Sequence, residues 1–100
     1  MVQKNLIVDL TFQFALDIIS FCELLDSKKK FNLSNQLFRS GTAIGANTRE
    51  SQGAESKADF IHKMKIAYKE AEESKYWLEL CHQSPNYLIR VKLLHDITPC

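Results

Sequence analysis

Proline and glycine are scarce in this chain, with two and three in 100 residues. A β-sandwich or small barrel needs far more turn residues than that, so the shortage favours helices. Long apolar runs are missing as well. The most apolar stretch lies near the start and is interrupted by Asp9, Gln13 and Asp17. It has no strongly basic beginning, and no small-residue cleavage site follows it. These features argue against a membrane span or a leader, so the expectation is a cytoplasmic protein with no membrane partner. Neither sign of charge is in excess: 13 Lys and Arg against 12 Asp and Glu leave a formal net charge of +1. No global field draws the chain to nucleic acid or lipid, and any such binding must come from local patches. The three cysteines, Cys22, Cys81 and Cys100, are odd in number and have no short spacing. That argues against a disulfide framework or a zinc site, and Cys22 and Cys81 read as buried free thiols on helical apolar patterns.

What is present is helical periodicity. The chain reads as one all-α domain over residues 1–100, with helices near 6–26, 33–52, 56–83 and 85–97. Short connections make successive helices antiparallel neighbours, giving an up-and-down four-helix bundle. The first helix carries eleven apolar residues between Leu10 and Leu25 and leaves only Asp9, Gln13, Asp17 and Ser20 as a polar stripe. It needs cover on nearly all sides, from its own domain or from another subunit. Asn32 is expected to cap the second helix at its start and Gly53 to close it in the left-handed conformation. Ser56 opens the third helix, with Asp59 in the reciprocal position of a capping box. Phe60, Met64, Ala67, Ala71, Ser74, Leu78 and Cys81 alternate steps of four and three, which is a packing seam. Ile61, Ile66, Tyr68, Trp77 and Leu80 lie off it and suggest a second buried face.

The stretch from Asn32 to Leu80 organises the rest. Within it Ser40, Gly41, Gly45 and Asn47 stand where a simple helix would have Leu or Ala. Glycine costs about 1 kcal/mol in a helix interior, so Gly41 and Gly45 either break the segment into two helices or are compensated by close approach of a neighbour. One helix is favoured, because Leu33, Leu37, Ser40, Ile44, Asn47 and Ser51 keep their 4-3-4-3-4 spacing through both glycines. Asn47 falls on that seam and is expected to fix helix register. Arg39 and Glu50 share a face but lie ~16 Å apart along the axis. Each joins an inter-helix or inter-subunit network or is solvated, and the sequence weighs these equally.

Catalytic chemistry finds little support, and no cofactor is implied. Asp59 with His62 and Glu79 with His82 have the carboxylate-histidine spacing of di-iron bundles. The two pairs are ~30 Å apart on one helix, so no shared metal site is expected. His82 directly follows Cys81, and adjacent helix positions point about 100° apart, so the imidazole is poorly placed to activate the thiol. Gly41 to Gly45 lacks the strand and the Gly-Lys-Ser/Thr of a phosphate loop. Binding chemistry is left to the cations, of which Arg39, Arg49, Lys57, Lys63 and Lys69 are the candidate nucleic-acid contacts. Glu70, Glu72, Glu73 and Glu79 interleave with them, the usual composition of a solvated, ion-paired face, and that reading leads.

Particular segments carry a family resemblance. Phe14-Ala15, the run from Gln36 to Asn47 with Glu50, the run from Ala54 to Met64, Lys69-Glu70-Ala71 and Tyr76-Trp77-Leu78 resemble the 23S rRNA-intervening sequence proteins, over roughly Phe12 to Leu80. Ala43 stands where those proteins often have a second serine, and Thr48 where they usually have isoleucine. The resemblance implies four antiparallel helices assembling as a ring, typically a homopentamer. It also implies coding regions inside insertions of ribosomal RNA genes in some bacteria. One relative is the accessory protein of diversity-generating retroelements, which works with a reverse transcriptase and nucleic acid. The leading expectation is therefore a non-enzymatic oligomeric bundle associated with RNA or DNA, with Ser40, Gly41, Gly45, Asn47, Glu50 and Asp59 as structural or interface residues. The alternative is a scaffold that binds a protein partner through apolar helix faces.

Overall fold

A computed structural model describes residues 5–85. Among the described residues it is all-helical, with α1 over Leu6–Ser27, α2 over Phe31–Ser51 and α3 over Lys57–Gln83. The fourth helix expected near 85–97 lies, apart from Pro85, outside the described residues.

Local chemistry sets the helix ends. Asn5 caps α1, its side chain accepting from the Val8 amide, and Asp9 adds a negative charge to the first turn. At the other end the Lys29 amide donates to Asp26 and the Lys30 amide to Leu25, while Lys29 adopts φ 60°. This is a Schellman closure, with lysine in the left-handed position that glycine normally takes. The closure corrects the expected start of α2. Lys30 already lies in the cap of α1, and its carbonyl accepts from Ser34. Helix α2 therefore begins at Phe31, with Lys30 as N-cap and no side-chain cap bond, and Asn32 sits inside the first turn. Gly53 is also not the left-handed residue expected, since no described glycine has positive φ. The amides of Gln52, Gly53 and Ala54 instead reach back three residues to Arg49, Glu50 and Ser51, tightening the end of α2 in 3₁₀ fashion. The start of α3 follows expectation: the Asp59 amide donates to Ser56 Oγ, and the Asp59 carboxylate accepts from the Glu55 amide.

Helix α2 is the central element. Helices α1 and α3 each pack along it and have no close backbone approach to each other. Opposite ends meet: Asn5 bonds Gln52 and Cys22 bonds Ser34, while Arg39 meets Glu70 and Lys63 meets Glu50. The large buried side chains gather at one end, where Ile18, Phe21, Cys22 and Leu25 of α1 meet Leu33 and Leu37 of α2 and Leu78 and Cys81 of α3. Beyond them the buried positions of α2 are mostly small or hydroxylic, with Ser40, Gly41, Thr48 and Ser51 around the single large Ile44.

The glycines behave as one helix interrupted by nothing, and the neighbour that approaches them is α1 of the same chain. A Cβ on Gly41 would lie 2.7 Å and 2.8 Å from two carbons of Ile18, and one on Gly45 would lie 3.1 Å from the Thr11 carbonyl oxygen. The close neighbour is thus intramolecular: α1 fills the space at Gly41 and, at Gly45, approaches on one side of a groove that stays open beside the glycine. Ile18 is fully buried and β-branched, so it has few rotamers into which to retreat.

Two stability changes are expected. Gly41→Ala should destabilise by about 1–3 kcal/mol through overpacking, despite the better helix propensity of alanine. Lys29→Gly should stabilise by about 0.5–1 kcal/mol by relieving the left-handed lysine. Urea denaturation followed by circular dichroism measures both, and an unchanged midpoint in Gly41→Ala would contradict the close packing.

Candidate functional site: a hydroxyl-lined helix and two grooves

The faces of α2 that meet its neighbours are held by polar contacts between small side chains. Cys22 Sγ donates to the Ser34 carbonyl at 3.3 Å, and Ser34 Oγ donates back to the Cys22 carbonyl at 3.2 Å. Midway along the α2–α3 contact, Ser74 Oγ lies 2.8 Å from Ser40 Oγ and 2.9 Å from the Glu70 carbonyl. A carbonyl can only accept and a hydroxyl has one proton, so Ser74 donates to Glu70 and Ser40 donates to Ser74. Thr48 and Ser51 satisfy their buried hydroxyls on carbonyls of their own helix. Ser40 thus ties α2 to α3 through Ser74.

Asn47 does not. It is half-buried, and its Nδ2 donates to the Ala43 carbonyl one turn earlier in the same helix. That bond ties it to its own helix and to no described neighbour. The contact that joins two helices is the Ser40–Ser74 pair; spacing put each serine on a seam but not opposite the other.

Arg39 and Glu50 resolve in favour of the inter-helix network. Arg39 bridges from α2 to Glu70 and Glu73 of α3 and also donates to Gln36, while Glu50 pairs with Lys63 at 3.6 Å. Glu73 in turn accepts from Trp77 Nε1 at 3.0 Å. Two of the five candidate nucleic-acid contacts, Arg39 and Lys63, therefore face carboxylates. Arg49 is exposed, with its guanidinium 5.2 Å above the centre of the Phe12 ring. Lys57 and Lys69 are exposed on α3. On α3, Lys57, Lys63 and Lys69 are six residues apart and so project about 120° from one another, and Asp59 caps the start of that helix.

Among the described residues, two grooves stand out on the surface. One, of about 440 Å³, runs between α1 and α2 and is lined by Val8, Phe12, Ala15 and Ile19 against Thr42, Gly45, Ala46, Arg49 and Glu50. The other, of about 580 Å³, lies between the first turns of α2 and the last turns of α3. Its walls are Asn32, Leu33, Asn35 and Gln36 facing Trp77, Leu80, Cys81 and Ser84. The off-seam apolar residues of α3 hinted at this second groove through Trp77 and Leu80. Its amide side chains carried no signal, because exposed Asn and Gln are ordinary surface residues.

Among the described residues no cluster of three His, Cys, Asp or Glu could hold a metal ion. His62 and His82 are both exposed. Burial raises the pKa of the Cys22 thiol; the bond with Ser34 partly opposes the shift and Asp26 adds to it. The Cys81 thiol is raised by burial alone. Among the described residues no helix is long and apolar enough to cross a membrane.

The fold and its surfaces define a class: an all-helical module whose small-residue central helix lets two long neighbours approach closely. The chain belongs to the family of 23S rRNA-intervening sequence proteins, whose model matches residues 3–90. It is also similar to a crystal structure from Bacteroides thetaiotaomicron VPI-5482, described as a protein with unknown function from the S23 ribosomal protein family. That likeness has 42% identity and a TM-score of 0.81, and covers 91% of this chain and 83% of the other. No curated protein matches.

The raised thiols set a pH dependence. In the unfolded chain both cysteines ionise in the ordinary thiol range, while the folded chain holds their protons to higher pH. The native state then binds more protons than the unfolded state, so stability should fall as pH rises above about 9. Replacing both with alanine should flatten that decline in urea midpoints measured across alkaline pH. Arg39→Ala should cost about 1 kcal/mol, since the arginine side chain is half exposed and its carboxylate partners keep some access to water.

Proposed function

We propose that this chain is the subunit of a non-enzymatic, self-associating helical scaffold in the cytoplasm. In this reading residues 1–100 form one antiparallel four-helix domain, with 85–97 as its last helix. The observation that carries it is the apolar surface left on α1, where Leu10 is 56% and Phe12 50% exposed. Two positions apart on a helix, these side chains project roughly 160° from each other. One further helix from the same chain can cover the Leu10 side, together with Leu6 and Leu24, but it cannot also cover Phe12. The Phe12 side opens into the groove lined by Ala15, Ile19, Gly45 and Ala46. A second copy of the chain is the occupant this reading assigns to that groove, and repetition of the contact gives a ring, a pentamer by family resemblance.

Nucleic-acid association is the second reading, favoured by the exposure of Lys57 and Lys69 and by the lysines at positions 28 and 29. A ring multiplies these cations, and phosphate contacts need little else. It is held behind the scaffold because Arg39 and Lys63 already face carboxylates.

Light scattering after size exclusion, at low and high salt and with and without a short structured RNA, separates the two. The scaffold predicts an oligomer whose mass is insensitive to both. RNA taken up at low salt and released at high salt would support the second reading. Ala46→Glu places a charge at an exposed position in the groove and should yield a folded monomer. A full-sized oligomer in that variant would remove the assignment of the interface.

A further inference from the structure

We infer that the groove between the first turns of α2 and the last turns of α3 is a binding site for a nucleobase joined to a phosphate. Its chemistry is divided in the way such a ligand requires. On the α3 side stand Trp77 and Leu80, with Tyr76 set edge-on to the indole at 5.2 Å between ring centres. The polar edge of Trp77 is occupied, because Nε1 donates to Glu73 and Glu73 is itself held by Arg39. The indole is therefore oriented, and what it offers the groove is apolar ring surface, suited to stacking. On the α2 side stand three carboxamides, Asn32, Asn35 and Gln36, all exposed. Gln36 accepts from Arg39 through Oε1, which leaves its amide nitrogen available. A carboxamide carries donor and acceptor side by side and matches the edge of an unpaired base.

The cations stand at the same end of the molecule. Lys28 and Lys29 are exposed in the turn that immediately precedes α2, within four residues of Asn32, and the first turn of α2 contains no acidic residue. In this proposal they hold the phosphate whose base lies in the groove. At about 580 Å³ the groove is within the range of roughly 300–1,000 Å³ typical of small-ligand sites. The base-phosphate unit has two sources, a free nucleotide or an unpaired stretch of RNA. A duplex is excluded, because its bases are stacked and their edges paired.

Trp77 is the only tryptophan in the chain, so its emission reports directly on the groove. The full-length protein is titrated with a nucleoside monophosphate, with a single-stranded oligoribonucleotide and with the corresponding duplex. A saturable change in emission with either of the first two, and not with the duplex, is expected. The stronger responder identifies the source. Asn32→Ala with Asn35→Ala should weaken that response about tenfold, and Lys28→Ala with Lys29→Ala should reduce its salt dependence. Unchanged emission with both single-stranded probes overturns the inference, as does binding of full strength in the double asparagine variant. For the RNA source the inference rests on the nucleic-acid reading above, and the two fail differently. An oligoribonucleotide that raises the mass by light scattering but leaves Trp77 emission unchanged sinks the groove and spares that reading.

Discussion

The closeness of α2 to both neighbours is the constraint on which the rest of the structure depends. Gly41 leaves room for Ile18 and Gly45 for the backbone at Thr11, while Ser40 touches Ser74 on the other side. Each small residue gives up apolar surface and, for glycine, helix propensity. What compensates is dispersion contact along two long helices, together with hydrogen bonds that short side chains make only when backbones approach. Larger residues at these positions would move α1 and α3 outward and separate Ile18, Leu37 and Leu78 from the cluster they form. The small-residue stretch and the large-residue cluster are two parts of one packing solution.

That solution limits the chemistry. Buried hydroxyls are satisfied by carbonyls or by each other, and the buried thiols are held protonated by desolvation. None is poised as a nucleophile, since activation would need an adjacent base or a depressed pKa. The polar groups that remain available lie on the surface. There Arg39 serves as a strap between α2 and α3, and its carboxylate partner Glu73 orients Trp77. A side chain that looks like a phosphate contact in a list of cations thus acts to set the wall of a groove.

The two grooves differ in kind. The one between α1 and α2 is apolar, with Arg49 and Glu50 at its edge, and it suits another helix. The one between α2 and α3 combines an indole with carboxamides and suits a small planar polar ligand. They lie on opposite halves of α2, residues 42–50 lining one and 32–36 the other. Assembly through the first would therefore leave the second open.

The sequence by itself determined the helical class, the three described helices over most of their length, the cap at Ser56, the buried thiols at Cys22 and Cys81 and the need of the glycines for a close neighbour. Each of these follows from periodicity, capping chemistry or propensity, which act within a few residues and are legible locally. Tertiary structure alone decided that α1 is the helix lying against Gly41 and Gly45, because α1 and a second subunit place the same demand on them. It also decided that Asn47 bonds within its own helix while Ser40 and Ser74 join two, that Arg39 meets Glu70 and Glu73, and that Asn32 and Asn35 face Trp77 across a groove. These depend on the axial offset and rotation of one helix against another. A spacing pattern fixes which residues share a face, but not which residue of the next helix comes to lie opposite them.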